Sequence, residues 1–398
     1  MMMIANLQYG WTLFVKPIIA ATHWKLTDVQ WGFSIFVALE TWAMPCSGFL
    51  IDRLGARPFL TVAGVLCGIG WASLGYVQTL PALYGFYALA GFGAALVYCG
   101  SMGIGLKWFP DKRGLAAGTI AAGFGSGSAL FVPIISYLIR TQDYKTAFLY
   151  TGIAQGLLIV VAAQFLKNPP PTERFAAPAR VQMRSHREDF NSGEMLQTPH
   201  FYLLFAMALM MGIGGLMATA QVAPMAGTLK ISAAVLTLAL TINPLANGAS
   251  RIFWGWVSDF VGRERTMFIA FLLQAGFLVS VVTIGKASPV MFVVTMALVY
   301  FTWGEVYSLF PSVSADFFGS KNASSNYSFL YSAKGVASIV GGGLAAALFE
   351  KTGSWDYGFY GCAVLALIAA VLSLTLKSLP LPTKHASTAP AASPLEAK

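Results

Sequence analysis

Gly48-Phe-Leu-Ile-Asp52-Arg53-Leu-Gly55-Ala-Arg57 joins two long apolar runs, and 207 residues later Gly255-Trp-Val-Ser-Asp259-Phe-Val-Gly262-Arg263-Glu-Arg265 joins two more. One such stretch is an ordinary charged turn. The same stretch at the same place in each half of the chain is an internal repeat. Its physics is legible residue by residue. Gly48 and Gly255 allow close helix approach. Asp52 and Asp259 can cap a neighbouring helix N-terminus, and Gly55 and Gly262 permit a tight turn. Arg53, Arg57 and Arg263 hold the loop at a cytoplasmic membrane face.

Outward from these loops the chain is a succession of membrane-length segments. Runs of about 20 apolar residues, enough to cross a bilayer, lie near 1–22, 29–51, 58–79, 81–106, 114–139 and 145–166. Six more lie near 200–228, 232–257, 266–286, 288–315, 325–350 and 356–377. The reading is an all-α membrane protein with 12 transmembrane helices, six in residues 1–166 and six in residues 200–378. Between them, 167–199 begins with the Pro-rich stretch KNPPPTERFAAPAR and reads as a cytoplasmic linker. Near its end Asn191 or Ser192 can cap a short helix, and Pro199 opens the seventh span. The tail 379–398 has the composition of a disordered segment. The first span is short, with only seven residues before Gln8, and a truncated first helix is expected.

Composition agrees. Apolar residues make up 57% of the 398 and charged residues only 10%, with a mean hydropathy of +0.67. A soluble globule cannot hide that much apolar surface, so soluble enzymes and disordered chains are excluded. The net charge of +9 is therefore read by position rather than as a nucleic-acid footprint. With the N-terminus inside, sixteen Lys and Arg residues fall on the inner side and seven on the outer. That bias places both termini in the cytoplasm of a multi-pass protein of the cell membrane. Cys46, Cys67, Cys99 and Cys362 sit in apolar runs without metal-type spacing, and His23, His186, His200 and His385 fall in loops, at helix ends or in the tail. No paired nucleophile and base, metal set or phosphate-binding loop is present. The expectation is no enzyme, no metal and no cofactor.

The informative residues are charges inside spans. Arg251 lies eight residues before Asp259, about 12 Å into the bilayer, and Lys334 about 14 Å into its own span. Glu40 and Glu305 lie about 18 and 16 Å deep. All four fall near the midplane of a core about 30 Å thick, where each is costly. Helical phase groups them. Asn243, Asn247 and Arg251 make one polar stripe. Tyr327, Tyr331, Lys334 and Ser338 make another. Trp303 and Tyr307 share a face beside these cations. By composition alone Gln8, Tyr9 and Tyr98 read as core. A step of two residues turns Glu305 away from Trp303, so it faces its own bundle, where a buried carboxylate must be paired or protonated. Glu40 shares a stripe with Phe36, Met44 and Ser47 and is a candidate coupling group.

The loop pattern G-x-x-x-D-R-x-G-x-R resembles the signature of the major facilitator superfamily. Within it the chain resembles the oxalate:formate antiporter family, through Gln8-Tyr9-Gly-Trp11, Lys107-Trp-Phe-Pro-Asp-Lys-Arg-Gly114, Asp189-Phe-Asn-Ser-Gly-Glu-Met195, Phe301-Thr-Trp303-Gly, Leu309-Phe-Pro-Ser312, Ala333-Lys334 and Gly341-Gly-Gly343. The resemblance implies the superfamily fold of two six-helix bundles around a central cavity, working by alternating access. It also implies that Arg251 and Lys334 bind the carboxylates of a small organic anion inside a cage of Gln8, Tyr9, Tyr98, Trp303 and Tyr307. The carrier would work as a monomer in the lipid bilayer, with no nucleic-acid partner. Against the family pattern, Phe124 replaces a tyrosine and Tyr331 a tryptophan, while Glu40 and Glu305 replace a glutamine and a glycine. Exchange of oxalate for formate, or of similar carboxylates, is the leading expectation. A proton-coupled monocarboxylate symporter of the same fold is the alternative.

Overall fold

A computed structural model describes residues 1–45, 47, 54–108, 113–167, 189–319 and 322–383. Among them ten helical runs are long and apolar enough to cross a membrane, and Trp11–Thr22 is a shorter apolar helix. The first half contains α1 (Met2–Tyr9), α2 (Trp11–Thr22), α3 (Leu26–Trp42), α4 (Ala56–Ser73), α5 (Leu80–Trp108), α6 (Arg113–Ser126), α7 (Ser128–Thr141) and α8 (Tyr144–Phe165). After the short α9 (Ser192–Met195), the second half contains α10 (Pro199–Thr228), α11 (Ala233–Val261), α12 (Arg263–Val282), α13 (Pro289–Trp303) and α14 (Val306–Phe318). It ends with α15 (Ala323–Tyr331), α16 (Ala333–Ile339), a π-turn at Val340–Leu344, α17 (Ala345–Thr352) and α18 (Asp356–Ser378).

The helix starts follow local chemistry. Asp143, Thr198, Ser232 and Ser288 each accept a backbone N–H three residues on, satisfying a donor the helix cannot. Asp143 lies outside the spans, and accepting the Thr146 backbone N–H holds its carboxyl below the ordinary aspartate value. Asn191 caps α9 in a reciprocal box with Glu194, and Pro199 opens α10. Spans predicted as single helices are broken where the site lies: at Gly10, at Gly304–Glu305 and at Ser332.

Packing divides the helices into two groups. In the first half α4 lies along α8 and α5, and α5 along α3. In the second, α12 packs on α18 and α11 on α13. The groups meet along α2 with α10, α3 with α16, and α6 and α7 with α11. Small residues permit this closeness. A Cβ on Gly125 would fall 3.0 Å from the Gly248 Cα. One on Gly342 would fall 2.4 Å from the Ser34 hydroxyl.

The repeated loops are partly described. Gly55 has φ +76° and Gly262 φ +92°, the conformation that a side chain disfavours. Arg57 Nε donates to the Leu166 carbonyl at 2.8 Å. Arg263 bridges Asp259 at 2.9 Å and Asp316 at 3.5 Å. Two expectations are corrected. The carboxylate of Asp259 pairs with Arg263, four residues on in the next helix, where helix capping was expected. α14 lies beside Gly255, but the approach does not require a glycine, because among the described residues a Cβ there would meet only Ser308, at an ordinary 3.9 Å. Gly48, Asp52 and Arg53 lie outside the described residues, as do most of the linker and the tail from residue 384.

Candidate functional site

Lys334 stands just after the Ser332 break, on α16, with 5% of its side chain exposed. Its ammonium donates to Gln8 Oε1 at 2.8 Å, Glu40 Oε2 at 3.0 Å and the Tyr331 hydroxyl at 3.3 Å. Gln8 and Glu40 belong to the first half, so this side chain crosses between the helix groups. Arg251, on α11, crosses in the same sense. Its Nη1 donates to the Ala121 carbonyl at 2.8 Å and Nη2 to Asn247 Oδ1 at 3.0 Å. Asn247 in turn donates to the Tyr300 carbonyl at 3.2 Å. Of the predicted polar stripe on α11, Asn247 is a support for the guanidinium, whereas neither polar atom of Asn243 has a partner among the described residues.

Tyr307 lies between the two cations, its ring centroid 4.4 Å from Arg251 Cζ and 5.8 Å from Lys334 Nζ. Desolvated cation–π contacts of this kind are worth about 2 kcal/mol. The remaining aromatics extend the enclosure: Trp303 lies 5.5 Å from Tyr307 and 6.4 Å from Tyr9. Tyr9 lies 5.8 Å from Phe124, and Tyr98 5.6 Å from Phe124 and 5.7 Å from Tyr331. All seven residues expected at the site, Gln8, Tyr9, Tyr98, Arg251, Trp303, Tyr307 and Lys334, thus come together in one buried region. Gln8, Tyr9 and Tyr98 are core by burial and site by position, which composition alone cannot separate. Trp303 is seated by Gly215, where a Cβ would fall 2.1 Å from the indole.

The region is rich in donors. Gln8 Nε2, the Tyr9 hydroxyl, Trp303 Nε1 and Arg251 Nε are buried and have no hydrogen-bond partner among the described residues. Buried donors without acceptors are costly, and a carboxylate can accept from them; Glu40 Oε1 is an unpartnered acceptor in the same region. Beside Lys334 a cavity of about 20 Å³ is lined by Gly212, Val306, Tyr307, Tyr327 and Tyr331. That is room for about one water, so an organic anion can enter only if side chains or helices move.

The two buried glutamates are held differently. Glu40 is 0% exposed and salt-bridged to Lys334. Glu305, also 0% exposed, follows the Trp303 break, and neither of its carboxyl oxygens has a partner among the described residues.

Residues missed by the sequence reading form a polar seal between the halves, toward the end where α2 meets α3. Gln30 donates to the Ala220 carbonyl at 2.7 Å and to Gln221 at 3.2 Å. Gln221 donates to the Gly342 carbonyl at 2.9 Å, and Ser34 to the Ser338 carbonyl at 2.7 Å. Buried Gln and Ser at helical spacing were the available signal. Apart from the Gln30–Gln221 pair, these partners are backbone carbonyls, which no side-chain pattern reveals.

The sequence model of the Major Facilitator Superfamily matches residues 1–224 and 202–397. The chain belongs to this superfamily. It is 39% identical over 373 residues to the oxalate:formate antiporter of Oxalobacter formigenes, covering 94% of this chain and 88% of that one. It is 25% identical over 333 residues to the uncharacterized MFS-type transporter YhjX of Escherichia coli strain K12, covering 83% and 81%. To human monocarboxylate transporter 11 it is 28% identical over 234 residues, covering 58% and 48%. It is thus an all-α, multi-pass membrane protein of a transporter superfamily.

Proposed function

We propose that this protein is a secondary carrier that exchanges small carboxylates, oxalate for formate or a related pair, across the cell membrane by alternating access. The observation that carries the reading is the burial of Arg251 and Lys334 between the two halves, among aromatic rings and donors without acceptors. Arg can hold a carboxylate through two parallel N–H bonds, and Lys adds a compact point charge. Both cations belong to the second half and reach groups of the first, Lys334 to Gln8 and Glu40 and Arg251 to the Ala121 carbonyl, so an anion that enters or leaves among these contacts is coupled to the movement of one half against the other. The 39% identity to an oxalate:formate antiporter supports the substrate class. Arg251, Lys334, Gln8, Tyr9, Tyr98, Trp303 and Tyr307 are the proposed contacts. Residues 1–166 and 200–378 act as the two moving bundles, both termini are cytoplasmic, and the working unit is a monomer. Transport rather than catalysis is the role.

The test is uptake of labelled oxalate into proteoliposomes with and without internal formate. Internal formate should stimulate uptake severalfold, and Arg251→Gln should abolish it. Normal uptake by Arg251→Gln would overturn the reading. One observation favours the alternative of a proton-coupled monocarboxylate symporter: Glu40 is bound to Lys334. Uptake driven by an inward proton gradient, in vesicles preloaded with buffer alone, would decide for it.

A further inference from the structure

The two cations of the site differ in what they can offer. An ammonium has three N–H groups, and those of Lys334 face three protein acceptors: Gln8, Glu40 and Tyr331. A guanidinium has five. Arg251 gives one to Ala121 and one to Asn247, and its Nε has no partner among the described residues.

The charges differ as well. The Lys334–Glu40 pair sums to zero wherever its proton sits, because charged with charged and neutral with neutral give the same total. Of the three groups gathered here, Arg251 alone is uncompensated. A monoanion on Arg251 brings the region to neutrality. A dianion that also takes Lys334 must first evict Glu40, leaving a carboxylate of 0% exposure without its counter-charge. That arrangement is strongly disfavoured in a buried site.

We propose that Glu40 is a resident carboxylate that fills one half of the anion clamp and thereby sets the charge of the substrate, favouring monocarboxylates held by Arg251 over dicarboxylates. This inference rests on the reading of the chain as a small-carboxylate carrier and narrows it to its monocarboxylate member. Glu40 is then a specificity-determining residue through charge, not through shape.

The test is ligand stabilisation of the purified full chain. Its unfolding midpoint is titrated with formate and with oxalate at matched ionic strength, which yields an affinity for each. In the wild type, formate should bind at least tenfold more tightly than oxalate. Glu40→Gln, with both cations uncompensated, should shift the ratio at least tenfold toward oxalate. Glu40→Asp keeps the charge and should keep the preference for formate. The double variant Glu40→Gln/Lys334→Gln restores the net charge to that of Arg251 alone and should again favour formate, though more weakly. An oxalate preference in the wild type, or a ratio unchanged within twofold in Glu40→Gln, overturns the proposal. Should Glu40→Gln fail to insert, an oxalate preference in the double variant overturns it and a formate preference supports it. If both anions bind but the ratio ignores Glu40, only this assignment fails. If neither anion stabilises the wild type, the carboxylate reading falls with it.

Discussion

Glu40 and Glu305 are equally buried, yet the chain treats them in opposite ways. Glu40 reaches from α3 across the interface to Lys334 on α16. Glu305 stays within the second half, at the break between α13 and α14, with neither oxygen partnered among the described residues. The first is an electrostatic tie between the two groups of helices. The second is a buried carboxyl group with no counter-charge from the other half among the described residues. Burial alone therefore does not mark a functional charge. The partner on the other half does.

The largest effect should come from removing that partner. Lys334→Gln leaves Glu40 buried without a counter-charge and should abolish uptake. It should also cost about 3–5 kcal/mol of stability, read as a lowered unfolding midpoint in detergent, with most of the loss recovered by adding Glu40→Gln. A Lys334→Gln protein with a wild-type midpoint would erase the distinction between the two glutamates.

Arg251→Lys should reduce uptake at least about tenfold, because a single ammonium cannot reproduce the fork that spans Ala121 and Asn247. Transport at the wild-type rate would show that charge suffices and geometry does not matter there.

Trp303 precedes Glu305 by two residues and faces the cage. Gly215→Ala should displace its indole and cost about 1–3 kcal/mol through overpacking, with weaker anion stabilisation. If stability falls but anion affinity holds, Trp303 belongs to the packing side of the break along with Glu305.

The smallest effect is expected at Glu305 itself. Glu305→Gln removes no ion pair and keeps the shape, so stability should change by less than about 1 kcal/mol. Uptake and the order of anion competition should stay as in the wild type. A shift in selectivity would place Glu305 inside the site and reverse the helical phase assigned to this span.

Much of the architecture was legible in the sequence. Spans can be read because a bilayer demands about 20 apolar residues whatever their neighbours. Pro199 at the start of α10 and Asn191 as one of two candidate caps were visible because capping is local, involving residues within one turn. The site residues on α11 and α13 to α16 were visible as buried charge and helical phase. Gln8, Tyr9 and Tyr98 were not, and only family resemblance pointed to them. An uncharged residue in an apolar run looks the same whether it packs a core or lines a cage. The role expected of Gly255 failed because a glycine shows that close approach is possible, not that the neighbouring helix comes close enough to need it.

The sequence by itself determined that the chain spans a membrane in two related halves and carries four ionisable groups near mid-depth. Those facts depend on composition and on intervals along a helix, which the chain carries without folding. Only the tertiary structure decided which of the four find each other. Gln8 and Lys334 are 326 positions apart and meet at 2.8 Å, and Glu40 meets the same ammonium from 294 positions away. Nothing in the local sequence sets such distances. They follow from how one group of helices lies against the other, through glycines that admit backbones and carbonyls that accept bonds, and those contacts exist only once both halves are packed.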